Sequence, residues 1–261
     1  LEELRAALRP DTAVVSVMMA NNETGVIFDC EAIGRIVKEN GSVFHVDGVQ
    51  AAGKLPLDLK SSTIDLFSLS GHKLHAAKGV GALYVRKGTK IRPLIVGGHQ
   101  ERGRRAGTEN VASLAGLGVA CDLAVANVEN ENTTVRSLRD RLESGLLSAI
   151  GDSQANGDPQ SRLPNTTNIS FQYIEGEGIL LLLDRVGVAA SSGSACTSGS
   201  LEPSHVLRAM GLPFTLTHGS IRFSLSRYNT QDEVDYVIEA LPPIIERLRM
   251  ITPFNEQRAT F

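Results

Sequence analysis

Cysteine is scarce in this 261-residue chain, with only Cys30, Cys121 and Cys196 present. Three scattered thiols exclude a disulfide framework and a multi-cysteine metal site, so each must be judged by its own neighbours. An excess of positive charge is also missing. The 26 basic and 29 acidic residues give a formal charge of −3, which leaves no basic field to hold nucleic acid or an anionic membrane. Long apolar runs are lacking too. The longest, Ile179 to Leu183, falls far short of the roughly 20 residues of a spanning helix and is too short for a signal core. These absences predict a soluble, cytoplasmic protein that works on a small molecule or a protein partner, without nucleic acid and without a membrane. The first residue is Leu1 rather than Met, set directly in the helix-like stretch LEELRAALRP. The expectation is that the chain is the interior of a longer protein.

What is present is ample apolar material, 42% of residues, enough to build buried cores. Ala13 to Met19 is a Val-rich run of strand length that ends in the turn-prone Asn21-Asn22-Glu23-Thr24-Gly25. Helical spacing of Ile33, Ile36 and Val37 follows, stopped by Asn40-Gly41. A short strand from Val43 runs into Asp47, and strand-like runs over 64–69 and 80–85 flank Ser70-Gly71-His72-Lys73. Such alternation predicts an α/β fold with an open, mostly parallel sheet, whose sites form at the carboxyl ends of strands. Long helices are predicted over 109–127 and 132–150, the second with Leu138, Leu142, Leu146 and Ile150 on one stripe. The domains are drawn at 1–130 and 131–261. In the second come a loop (151–164), a strand (168–171), a helix (176–184), a short strand (188–190), a Gly/Ser-rich loop and a strand around 221–225. A last helix starts at Thr230, where Glu233 completes a capping box.

Polar clusters gather at these strand ends. Asp47 with Gln50, then Ser70, His72 and Lys73, suit an aldehyde cofactor: a lysine for the Schiff base, an acid for the pyridine nitrogen, a hydroxyl and an imidazole for a phosphate. The same residues are also ordinary loop residues, and His72 with His75 falls short of a metal site because no third ligand is near. Around Cys196 the segment SSGSACTSGS supplies small residues on both sides, unlike the packing of a buried structural thiol. Cys196 is therefore the nucleophile candidate, against the alternative of a bystander thiol in a loop. Cys30, at a helix start, and Cys121, on an Ala-rich helix, read as packing residues. Gly97 to Thr108 is either a solvated loop or an anion site. Arg222, in the strand-like SIRFS, either faces outward or is satisfied by a carboxylate ligand.

Taken together, ANNETG, HVDGVQ, SGHKLHAAKGVGALY, GGHQERGRRAGTEN, SSGSACTSGSLEPSHVLRAMG and SIRFSLSRYNT resemble the cysteine desulfurases of the class V aminotransferase family, most closely their nitrogen-fixation branch. That resemblance implies a fold-type I pyridoxal-phosphate-dependent transferase. Residues 1–130 would form the C-terminal part of the large cofactor domain, and 131–261 a smaller α/β domain carrying the catalytic cysteine. It implies pyridoxal 5'-phosphate as cofactor, with Lys73 as Schiff-base lysine and proton shuttle and Asp47 on the pyridine nitrogen. Gln50 would bond the ring hydroxyl, and Ser70 and His72 the phosphate. Thr108 would reach the phosphate of the neighbouring subunit of a homodimer. Asn22, or its neighbour Asn21, would lie near ring and substrate, and Arg222 would clamp the carboxylate of L-cysteine. Cys196 would take the sulfur as a persulfide and pass it to an iron-sulfur scaffold protein, leaving L-alanine. A further phosphate-binding Gly-Thr loop and a ring-stacking histidine, which relatives carry in a preceding segment, have no counterpart here. Runner-up readings are a selenocysteine lyase, an aminotransferase, or an inactive dimerisation or scaffold-binding module.

Overall fold

The computed structural model describes residues 1–192 and 203–252. It divides into two compact units. The first holds Leu1–Ala20 and Phe28–Val128, and the second holds Asn21–Ile27 with the chain from Glu129 onward.

In the first unit, α1 (Glu2–Ala7) leads to β1 (Val14–Met18), α2 (Cys30–Glu39), β2 (Val43–Asp47) and β3 (Leu66–Ser70). A single 3-10 turn over Gly71–Leu74 follows, then β4 (Gly81–Val85), α3 (Gln100–Gly103) and α4 (Val111–Asn130). The sheet runs β1-β2-β3-β4, parallel except for the antiparallel edge strand β4. Asp29 caps α2 by accepting from the Ala32 N–H at 2.9 Å. Ile36 and Val37 of α2 are buried, and Val37 lies in one cluster with Phe44, Val46 and Phe67 of the sheet. Because side chains alternate along a strand, the opposite face of β2 carries Val43, His45 and Asp47. There His45 bonds Ser16 Oγ through Nδ1 (2.7 Å) and Ser68 Oγ through Nε2 (2.8 Å).

The helix over Val111–Ala149 is continuous, with a π-helical turn at Glu131–Val135 in place of the expected break. By length and composition it is apolar enough to cross a membrane. Counting uninterrupted apolar runs misses this, because Gly116, Gly118 and Asp122 divide the runs. In the first unit α4 buries Leu117, Ala120 and Ala124.

The second unit contains α5 (Arg136–Ala149), β5 (Ser153–Ala155), β6 (Thr166–Phe171), α6 (Gly176–Arg185) and β7 (Ser191–Ser192). Beyond residues 193–202 come α7 (His205–Ala209), α8 (Phe214–His218), β8 (Ser220–Ser224) and α9 (Gln231–Ile251). Its sheet is antiparallel throughout, in the order β5-β6-β8-β7. The stripe Leu138, Leu142 and Leu146 of α5 packs with Ile169 and Phe171 of β6, Ile221 of β8 and Leu241 of α9 in one core. Thr230 and Glu233 form the expected capping box of α9, which continues through Pro242 and Pro243. The short strand falls at 191–192 rather than 188–190, because pairing with β8 decides it and not the local apolar run. The expected loop at 151–164 contains β5, which pairs with β6.

The turn Asn21–Ile27 packs with the second unit because its backbone is bonded there. Leu163 N donates to Gly25 O at 2.8 Å and Ile27 N to Ser161 O at 2.9 Å. Beneath it Arg162, buried, pairs with both oxygens of Glu143 at 2.7 and 2.9 Å, and Thr167 Oγ1 also donates to Glu143. Burial alone would raise the Glu143 carboxyl. Bonds from Arg162 and Thr167, with the charges of Arg162 and Arg139, outweigh it and hold the group below its ordinary value. A depressed carboxyl contributes stability above its unfolded pKa and loses it as pH falls through the folded one. Glu143→Gln is therefore expected to lower stability at neutral pH and to reduce the further loss on acidification below the ordinary value of 4.5. Urea denaturation of both proteins at neutral and mildly acid pH checks this, and equal acid sensitivity would contradict it.

Candidate active site

Parallel pairing of β2 with β3 places Asp47 opposite Ser68, so Asp47 and the end of β3 share the carboxyl edge of the first unit's sheet. Asp47 is exposed, and its Oδ1 accepts from the Val49 N–H at 2.9 Å. That bond starts a turn, continued by Ala51 and Ala52 N–H groups donating to Gly48 O at 3.0 and 2.8 Å, which carries the half-buried Gln50. Residue 48 must be glycine, since a Cβ there would sit 1.8 Å from Phe67 Cζ. Two residues beyond Ser68, Ser70 Oγ bonds His72 Nδ1 at 2.7 Å. Lys73 follows in the 3-10 turn, half-buried, with its carbonyl accepting from Lys54 Nζ at 3.4 Å. The turn closes at His75, which takes the left-handed conformation (φ 67°) and donates its backbone N–H to Gly71 O. Gly71 N in turn donates to Val80 O at 2.9 Å. One strand edge thus presents a carboxylate, a hydroxyl–imidazole pair and a lysine.

The second unit carries Asn22 and Arg222. Asn21 is a buried turn-former: its Oδ1 accepts from the N–H groups of Glu23 and Thr24, both at 2.9 Å. Asn22 beside it is half-buried. Arg222 is half-buried in β8 rather than turned outward, and its Nη1 donates to Asn22 O at 2.6 Å. The strand register pairs Arg222 with Asn168 of β6 and with Ser191 of β7.

Cys196 lies outside the described residues. Ser192, four positions before it in sequence, pairs with Ile221. Thr108 is exposed, and among the described residues no hydrogen bond links it to the Lys73 edge. Sequence reasoning passed over Glu23 and Ser204, both buried and bonded to each other at 2.5 Å. The available signal was Ser204 directly before a helix, the position of an N-cap.

A family model described as aminotransferase class-V matches residues 1–237. The chain is 64% identical over 259 residues to Cysteine desulfurase 2 of Trichormus variabilis, covering 99% of this chain and 65% of the relative. It is 61% identical to Cysteine desulfurase NifS of Azotobacter vinelandii, covering 97% and 63%. Among solved structures it is similar to a NifS-like protein with a TM-score of 0.85 and 40% identity, covering 96% of this chain and 65% of that one. A NifS-like protein from Rickettsia africae gives a TM-score of 0.85 at 36% identity, covering 94% and 65%. The chain thus spans about two thirds of the length of these relatives.

The two described cysteines are poor nucleophiles. Burial, with the charges of Asp29 and Glu31, pushes the Cys30 thiol up to about 11, and burial with Asp122 raises Cys121. At pH 8 a thiol with a pKa near 11 is about one part in a thousand thiolate, the reactive form. Iodoacetamide at pH 8 is expected to modify Cys196 well ahead of Cys30 and Cys121, with Cys30 labelling rising about tenfold per pH unit up to its pKa. Peptide mass mapping over time reads the order, and early labelling of Cys30 would contradict it.

Proposed function

Since the chain belongs to the aminotransferase class-V family, we propose that the protein is a cysteine desulfurase, converting L-cysteine to L-alanine and passing sulfur through a Cys196 persulfide toward iron-sulfur cluster assembly. The cofactor of the family is pyridoxal 5'-phosphate, and the donor set suits it. An exposed Asp47 carboxylate matches a pyridinium, the Ser70–His72 pair matches a phosphate, and a lysine three residues past Ser70 matches an aldehyde. When bound, that cofactor supplies an electron sink for the carbon from which a proton is removed.

The chain's own residues divide the remaining work. Asp47, held by the Val49 N–H, would keep the ring nitrogen protonated. Ser70 and His72 would hold the phosphate, Gln50 would bond the ring hydroxyl, and Lys73 would supply the amine for the covalent link and the base for the substrate Cα proton. Asn22 and Arg222 would serve the substrate, Arg222 as the bidentate partner of its carboxylate. The Cys196 thiolate attacks the substrate sulfur. The new S–S bond forms as the C–S bond breaks, and the electron pair stays with the carbon fragment, which takes up protons to become alanine. The single observation that supports this reading is the pairing of β7 with β8, which sets Ser191, five positions before Cys196 in sequence, opposite Arg222. Thr108, exposed, serves the partner's phosphate in a homodimer. The setting is the cytoplasm, and the sulfur acceptor is an iron-sulfur scaffold protein.

Lys73→Ala in the full-length polypeptide is expected to abolish the visible absorbance of the bound cofactor. A borohydride-reducible adduct persisting on another lysine would sink that assignment. Cys196→Ser should keep the cofactor spectrum and lose alanine release from cysteine down to background, because a hydroxyl is a poor attacker of sulfur. Alanine and sulfide released at the wild-type rate would replace the persulfide route with direct elimination.

A further inference from the structure

Glu23 is 3% exposed, and among the described residues it forms no ion pair. A carboxyl buried without a cation is costly unless hydrogen-bonded, so its partners are informative. Glu23 Oε2 accepts from Ser204 Oγ at 2.5 Å, across 181 positions of sequence. The same Ser204 oxygen accepts from Leu207 N–H at 3.2 Å and caps α7. Ser204 is 4% exposed and Leu207 fully buried. The Glu23 side chain therefore holds the first turn of α7, the point where the chain resumes after residues 193–202.

The backbone of the same turn is fixed to the substrate-binding strands. Asn168 Nδ2 of β6 donates to Glu23 O at 3.3 Å, and Arg222 Nη1 of β8 donates to Asn22 O at 2.6 Å. Asn21 Oδ1 clamps the turn from within by accepting from Glu23 N and Thr24 N. Adjacent residues of one turn thus grip Arg222 and Ser204, and every group involved belongs to the second unit.

Building on the desulfurase reading, we propose that Glu23 is a positioning residue for sulfur transfer, anchoring the far end of the cysteine-bearing segment in the same frame as the substrate-carboxylate arginine. Ser192 precedes Cys196 by four positions and Ser204 follows it by eight, so the described residues that flank the cysteine in sequence are both held within the second unit, Ser192 by β8 and Ser204 by Glu23. Release of Ser204 should lower the fraction of time the thiol spends in attacking geometry while leaving substrate binding at Arg222 intact.

The test uses the full-length polypeptide with bound cofactor. Glu23→Ala is expected to keep the visible cofactor absorbance and to hold the KM for cysteine within about twofold, while kcat for alanine release falls roughly 10-fold or more, as for a misplaced reacting group. Glu23→Gln, whose amide oxygen still accepts from Ser204, should recover most of the rate. Ser204→Ala should match Glu23→Ala, with the double variant no worse than either single one. Hydrogen exchange should quicken in the amides of His205–Ala209 and not across β6 and β8. Wild-type kcat in Glu23→Ala, equal losses in the Ala and Gln variants, or exchange quickened throughout the second unit would each overturn the proposal. If the wild-type protein releases no alanine from cysteine, the desulfurase reading falls. The anchor is then judged by exchange alone, and an α7 as protected in Glu23→Ala as in wild type would refute it.

Discussion

The register of three parallel strands is the constraint on which the first unit's site depends. Side chains alternate with a period of two, so burying Phe44, Val46 and Phe67 on one face obliges His45, Asp47 and Ser68 to share the other. A slip of one residue would bury Asp47 and expose Val46. The apolar core therefore places the polar site without contacting a ligand. Parallel pairing adds the second requirement, since β2 and β3 end on one edge and the turns that follow them, which carry Gln50 and Lys73, are collected there. The antiparallel β4 then anchors the Lys73 turn through Gly71.

The second unit solves a different problem, holding polar groups inside a small antiparallel sheet. Every residue of β6 is buried, including Thr166, Thr167, Asn168 and Ser170. These are satisfied in a network: Asn156 Nδ2 donates to Asn168 Oδ1 at 2.6 Å and to Ser170 Oγ at 2.7 Å, and Asn168 Nδ2 reaches Glu23 O. Fully satisfied buried networks specify one arrangement, because any other leaves a polar atom without a partner. That specificity makes the excursion Asn21–Ile27 a fixed part of a unit from which it is distant in sequence.

This distance explains what the sequence could and could not disclose. Local signals were legible: α2 from its 3.6-residue spacing and Asn40-Gly41 stop, α9 from its capping box, β2 from a Val-rich run ending in Asp. Elements defined by a distant partner were not. β7 exists because Ser191 and Ser192 pair with β8, β5 because it pairs with β6, and neither has a strong run of its own. The helix break expected near 130 failed because a π-turn absorbs the polar Glu131 to Thr134 stretch without ending the helix. Among the candidate site residues, Asp47, Ser70 and Lys73 were legible as polar residues at or just past strand ends. Glu23 was not, since a glutamate in a turn-prone segment reads as solvated until Ser204, 181 positions away, is seen beside it.

The choice between Asn21 and Asn22 shows how a hydrogen-bond inventory narrows a motif. An asparagine carbonyl that accepts two backbone N–H groups is committed to its turn, and losing it would release both donors inside a buried segment. Asn22 contributes its backbone carbonyl to Arg222, which leaves its amide side chain uninvolved in that bond. The same contact orients the guanidinium before any ligand arrives. A carbonyl carries no full charge, so this contact steers the arginine without itself neutralising it.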